Sequence, residues 1–424
     1  PLRQGGRRSV TGIKKTAKQR QAIALMSDPD IRYILLSGGS RSGKTFIACY
    51  SIVVRALKVA GSRHAILRFH FRDVKNAVGR DTMPKVLKLI GTPYTLDKTD
   101  WFFTLPNGSE IWLGGLDDDE RVEKILGMEY STIYYNEASQ ISYHAYTTAQ
   151  TRLAQKTCLV NRAYVDCNPP TKSHWLHKLF LEHIDPETRV AVPNPERYAV
   201  LNMNPMDNRE NLPEGYIEDT LASLPERKRR RFLEGEWLDD PEGALWKRSM
   251  IDEHRHTGTL PNLVRIVVGV DPAVTGSETS DETGIVVVGK DERGHLYVLG
   301  DYSVRGSPLD WARQVAWAVD KHGADRVVGE VNNGGDLVEV NLRTVSKGLP
   351  FKKVTASRGK YIRAEPVAAL YEKGEVHHVG AFPDLEDQMC EWVPGDDSPD
   401  RMDALVWAIT ELAEPVEEFA CFAL

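Results

Sequence analysis

Eight consecutive residues, Gly38-Gly39-Ser40-Arg41-Ser42-Gly43-Lys44-Thr45, have the types and spacing G-x-x-x-x-G-K-[ST] of a loop that holds a polyphosphate. Gly38 and Gly43 free the backbone for conformations that a Cβ would obstruct, so the N–H groups around Ser40, Arg41 and Ser42 can turn inward on an anion. Lys44 would bring a point charge to the β- and γ-phosphates, and Thr45 a hydroxyl to the Mg²⁺ that travels with ATP. Upstream, a helix capped by Thr16 carries Gln19, whose amide offers the paired donor and acceptor that an adenine edge needs. An exposed helix face is an equal alternative for that glutamine.

A second feature expected at such a site is a strand ending in an acid that orients the attacking water. Thr132-Ile133-Tyr134-Tyr135 runs into Asn136-Glu137, with Asn where Asp is usual. Asn136 can hydrogen-bond a metal-bound water but adds no charge, which leaves Glu137 to carry the carboxylate role. The next strand, Arg162 to Cys167, ends at Asn168-Pro169-Pro170, where Asn168 suits either a sensor of the γ-phosphate or a plain turn. Arg41, Arg121 and Arg152 are the candidates for a cation beside that phosphate.

The second half offers different chemistry. Asp271 ends a long apolar strand, Glu330 ends another, and Asp400 and Asp403 open a helix three residues apart, on one face. Singly, each reads as a cap or a surface acid. Together, on a β-meander followed by a helix, a strand and a final helix, they form the ribonuclease-H-like arrangement. Its carboxylates hold two divalent ions ~3.5–4 Å apart that activate water and stabilise the leaving oxygen of a phosphodiester. Oxygen-only ligands select Mg²⁺ or Mn²⁺.

The elements that must position these residues are legible around them. An apolar run, Ile31 to Leu36, precedes the loop and the apolar-faced segment Phe46 to Val54 follows it, giving strand, loop and helix. Pro106-Asn107-Gly108 sits between apolar runs as a hairpin turn. Leu263 to Val270, Gly284 to Gly289 and His295 to Leu299 make the meander, and Leu309 to His322 keeps helical spacing. We therefore expect an α/β protein in which an N-terminal P-loop ATPase domain of the RecA/ASCE type spans 1–195. A linker or subdomain over 196–250 and a C-terminal ribonuclease-H-like nuclease domain over 251–424 complete it. The basic run Arg227 to Arg231 in the linker suits either a phosphate backbone or a solvated face paired with acids.

Composition agrees with a soluble protein of two or three domains: 424 residues, 41% hydrophobic and 27% charged, with no run of ~18 apolar residues to span a membrane. The net charge of −6 does not advertise a nucleic-acid partner, though local patches can hide in that sum. Five scattered cysteines without C-x-x-C spacing point to reduced thiols in a cytoplasm. Pro1 to Arg8 is basic with no apolar stretch behind it, and reads as a mobile arm rather than a secretory signal.

Taken with Arg231-Phe232-Leu233-Glu234-Gly235-Glu236-Trp237 and Ser398-Pro399-Asp400-Arg401-Met402-Asp403, these motifs resemble, over nearly the whole chain, the large terminase subunit of tailed bacteriophages. The resemblance implies ATP-driven translocation of double-stranded DNA into a procapsid through its portal protein, and cutting of the concatemer. It further implies a small terminase subunit as partner, a homo-oligomeric ring during packaging with a monomer in solution left open, and the host bacterial cytoplasm as location. By position, Lys44 and Thr45 would hold nucleotide and Mg²⁺, Glu137 would be catalytic, and Asp271, Glu330 and Asp400 or Asp403 would bind the cutting metals, with Asp400 the first choice. Lys360, Arg363 and Glu365 resemble a family feature beside the nuclease site, and Leu126 stands where the family often has arginine. The rivals are a repair ATPase-nuclease, a recombinase or resolvase, and a nucleotide-binding assembly subunit without turnover, which Asn136 favours.

Overall fold

In the computed structural model the described residues are 14–116, 127–272, 282–330, 335–346, 348–354, 360–396 and 399–413. The N-terminal arm, Arg121, Leu126, Ser398 and Cys421 lie outside them. The chain divides into two units, Pro1–Asp239 and Asp240–Leu424.

The first unit is built on eight strands: β1 (Tyr33–Ser37), β2 (Arg63–Arg68), β3 (Thr95–Asp97), β4 (Phe102–Thr104), β5 (Glu110–Gly115), β6 (Thr132–Tyr135), β7 (Arg162–Cys167) and β8 (Tyr198–Asn202). They pair in the order β3-β4-β5-β2-β6-β7-β1-β8. The run from β5 to β8 is parallel, and the β3-β4-β5 edge is antiparallel, with its expected turn at Asn107-Gly108. The central strands are largely apolar because both faces are covered. Ile34, Leu36, Ile66, Tyr134 and Tyr164 pack on one side with Ile47, Ile52 and Val53 of the helix Lys44–Lys58. Leu35, Leu67, Ile133, Tyr135 and Val165 pack on the other.

Over 196–250, where the sequence suggests a linker or subdomain, most of the chain belongs to the first unit. Tyr198–Asn202 is β8, paired in register with β1, and the unit boundary falls after Asp239. A strand of five residues in a stretch crowded with turn formers gives too short an apolar period to announce itself. The four thiols within the described residues, Cys49, Cys158, Cys167 and Cys390, are free, and no helix there is long and apolar enough to cross a membrane.

The second unit carries β9 (Leu263–Asp271), β10 (Gly284–Asp291), β11 (Leu296–Asp301), β12 (Arg326–Glu330), β13 (Phe351–Val354) and β14 (Val376–His378), in the order β13-β12-β9-β10-β11-β14. The meander β9-β10-β11 is antiparallel as expected, and β12 runs parallel to β9, so Asp271 and Glu330 leave the sheet at the same edge. One face is covered by the helix Pro308–His322 through Trp311, Ala312 and Val315. The other is covered by the helix Asp400–Ala413, whose Leu405, Ala408, Ile409 and Leu412 are buried. That helix lies on the sheet backbone itself. A Cβ on Gly269 would overlap the carbonyl oxygen of Ala404, and one on Gly284, the partner of Asp271 across the ladder, would overlap that of Asp400.

Candidate functional site

At the head of β1 the loop is held by backbone geometry. Gly43 caps the following helix at φ 85°, Gly38 sits at φ 139°, and Arg41 takes φ 57°, a left-handed conformation uncommon for a residue with a Cβ. A Cβ on Gly38 would fall on the Met203 carbonyl oxygen. Gly39 N–H donates to Asn204 Oδ1 at 2.9 Å and Ser40 N–H to the Phe232 carbonyl at 2.8 Å. The segment Arg231 to Trp237 therefore braces the loop. The basic run before it pairs with acids, Arg229 with Glu234 at 3.7 Å and Arg230 with Glu236 at 2.8 Å, as a solvated face would.

Lys44 is buried and folded back, donating to the carbonyls of Gly38 at 2.8 Å and Gly39 at 2.6 Å, to Ser42 Oγ at 3.1 Å and to Asn168 Oδ1 at 3.3 Å. Burial pulls its ammonium below the usual lysine range, and Asp166 opposes that pull. An ammonium held by neutral oxygens in a glycine-lined cradle is suited to an incoming phosphate. Gln19 is buried beside the loop, its Oε1 accepting from Thr16 N–H at 3.1 Å and its Nε2 facing Gly43.

Glu137 stands at φ 52°, two residues past the end of β6. Burial raises its carboxyl above the usual range while the Arg68 guanidinium, which hydrogen-bonds it from the end of β2, draws it down. Beside it lies a residue that sequence reasoning passed over. Asp166 Oδ1 accepts from Glu137 N–H at 2.7 Å and from Asn136 Nδ2 at 3.1 Å, and its Oδ2 accepts from Thr45 Oγ1 at 3.2 Å. Among the proposed arginines, Arg41 belongs to the loop. Arg152 lies at the opposite end of the strands, its carbonyl accepting from Tyr130 N–H ahead of β6. A cavity of about 440 Å³ among Tyr33, Tyr143, Tyr146 and Tyr198 takes no part in the loop.

In the second unit the carboxylates of Asp403, Asp400 and Glu330 lie near enough to act on Asp271. Burial, then the carboxylates of Asp403, Asp400 and Glu330, push the Asp271 carboxyl up to about 8. Asp403 is 4% exposed and pairs with Lys360 at 3.5 Å, whereas Asp400 is only partly buried. Of the two it is Asp403 that acts more strongly on Asp271. Glu330 accepts from Arg363 at 3.2 Å and from Trp407 Nε1 at 3.2 Å, and the guanidinium lies 4.3 Å over the Trp407 ring. Glu365 is exposed and accepts from Tyr361 OH at 3.1 Å. Arg401 anchors the start of the helix by donating twice to Glu282, at 2.7 Å each, and also to Asp301.

As they stand, no three His, Cys, Asp or Glu side chains among the described residues group tightly enough to hold one ion. The donor set nonetheless fits a divalent metal. It consists of carboxylate oxygens alone, and a lysine and an arginine engage two of them.

A phosphate-loop ATPase fold joined to a ribonuclease-H-like fold with clustered carboxylates defines the class. Residues 35–253 match the family described as terminase large subunit, T4likevirus-type, N-terminal, and residues 268–412 match the terminase RNaseH-like domain. The chain belongs to the terminase large subunit family, the ATPase-nucleases of bacteriophage genome packaging. It is similar to the large terminase of a thermophilic bacteriophage at 16% identity, covering 93% of this chain and 98% of that one, with a TM-score of 0.49. For the ADP complex of that same phage protein the identity is 17%, the coverage 93% and 99%, and the TM-score 0.48. The HK97 bacteriophage large terminase gives 13%, 94% and 95%, and 0.42. No curated protein sequence matched the chain.

Proposed function

We propose that the first unit binds ATP with Mg²⁺ at Gly38 to Thr45, and that Glu137 orients the attacking water. In this reading Lys44 leaves the Gly38 and Gly39 carbonyls for the β- and γ-phosphates, Thr45 turns its hydroxyl to the cation, and Asn168, already bonded to Lys44, reports the loss of the γ-phosphate. Arg68 opposes the burial that raises the Glu137 carboxyl. In the second unit Asp271, Glu330 and Asp403, with Asp400 at the rim, hold two Mg²⁺ or Mn²⁺ ions that activate water against a phosphodiester. Lys360 and Arg363, which pair with Asp403 and Glu330, would be free to contact DNA phosphate once those carboxylates held metal. The substrate is double-stranded DNA, and the working assembly is a ring of this chain with a small terminase subunit and a portal protein, in the host cytoplasm.

The observation that supports this reading best is the placement of Asp271 and Glu330 at the same end of two paired parallel strands, with Asp403 and Asp400 near enough to act on Asp271, in a chain that also bears a phosphate loop. DNA-stimulated ATP hydrolysis and Mn²⁺-dependent plasmid cutting, measured on wild type, Lys44→Ala and Asp271→Ala, test it. Lys44→Ala should lose hydrolysis and Asp271→Ala should lose cutting. Wild-type hydrolysis by the first variant or cutting by the second would contradict it.

A further inference from the structure

The end of β6 lacks a charge that the neighbouring strand supplies. Register pairs Tyr135 of β6 with Val165 of β7, so one step further Asn136 faces Asp166; on the other side of β7, Leu36 pairs with Asp166 just before the loop. Asp166 is 2% exposed, and the groups that donate to it, Glu137 N–H, Asn136 Nδ2 and Thr45 Oγ1, are all neutral. The Lys44 ammonium also acts on it, but its hydrogen bonds go to Gly38, Gly39, Ser42 and Asn168, so a desolvated carboxylate so placed can take a further cation. Asn136 is also 2% exposed, and its Oδ1 has no hydrogen-bond partner among the described residues. That orphaned acceptor beside Thr45 and Glu137 is where a cation-bound water could donate.

We propose that Asp166 is the acidic positioning residue for the divalent cation that accompanies the nucleotide, and that Asn136 is its hydrogen-bonding mate rather than a lost catalytic acid. Asp166 would accept the Thr45 hydroxyl proton in a hydrogen bond, leaving that oxygen, which also accepts a long hydrogen bond from Asn136 Nδ2 at 3.4 Å, a lone pair for the cation, and would add the negative charge that β6 does not provide. The pairing also accounts for the asparagine. An aspartate at 136 would set two carboxylates 3.1 Å apart, and like charges that close do not both stay ionised. One acid and one amide is the arrangement with a single charge and a full hydrogen bond, and it should work in either order. The inference rests on the reading of Gly38 to Thr45 as the nucleotide site.

Calorimetric titration of the full chain with ATPγS, in Mg²⁺ and in EDTA, tests it. Asp166→Asn should bind as wild type in EDTA and lose about 10- to 100-fold of the affinity that Mg²⁺ adds, the range for a residue that orients a metal ligand. The exchanged double variant Asn136→Asp/Asp166→Asn should recover Mg²⁺ dependence to within about threefold of wild type, which a merely structural role would not predict. Unchanged Mg²⁺ dependence in Asp166→Asn, or an exchanged variant no better than the single one, would overturn the proposal. If the single variant does not fold, the exchanged one decides alone: wild-type Mg²⁺ dependence supports the proposal and its loss overturns it. Wild-type ATPγS binding by Lys44→Ala would instead refute the nucleotide-site reading beneath it.

Discussion

Glu137 is held between two opposing influences, burial pushing its carboxyl up and Arg68 drawing it down. Arg68→Ala removes the second, so the Glu137 carboxyl should rise further. The acid limb of the ATPase pH profile should then move to higher pH, with ATPγS affinity within a few-fold of wild type. Glu137→Gln should cut turnover by ~10²–10⁴-fold, the usual contribution of a positioned general base, and leave nucleotide binding in place. At the other site the sign is fixed by Asp271, whose carboxyl rises from 3.8 to about 8. Without metal the folded chain binds one proton more than the unfolded chain between those values, so stability falls as pH rises through that window. Melting of the metal-free protein across about pH 5–8 should therefore show a downward slope that Asp271→Asn flattens. Because metal must displace that proton, Mn²⁺ affinity should improve toward about pH 8.

Among the elements, close backbone approach brings the acids together. Gly269 lets the Ala404 turn rest on β9, and that contact places Asp403 near Asp271. Gly269→Ala should destabilise the protein by about 1–3 kcal/mol, as overpacking in a filled core does, and lower Mn²⁺-dependent cutting. Urea denaturation beside a plasmid assay checks both. The elements around the loop and the meander were legible because their signals are local: a glycine spacing, a run of apolar residues, an acid at a strand end. Asp166 was not, although it also lies near a strand end. Its role depends on β7 lying between β6 and β1, an order set by tertiary pairing that no local pattern encodes. Arg68 was hidden in the same way. Spacing alone sets Asp400 first and Asp403 close behind, since at helix spacing both acids share a face; that Asp403 is the more buried of the two follows from packing, which spacing does not encode.

Two chemistries in two compact units predict separable losses across the chain. Lys44→Ala should leave plasmid cutting by the isolated chain within a few-fold of wild type, and Asp271→Ala should do the same for ATP hydrolysis. The sequence leaves the segment Arg231 to Trp237 within a linker or subdomain because clustered turn formers and a basic run look alike whether they span a gap or brace a loop. The carbonyl of Phe232 on Ser40 N–H makes it part of the ATPase unit. One chain thus pairs a phosphate loop with a set of carboxylates, and the metals proposed for the second can be sought directly. Anomalous diffraction from crystals of the full chain soaked in Mn²⁺ should show peaks among Asp271, Glu330 and Asp403. Manganese bound elsewhere, or none at these carboxylates, would contradict it.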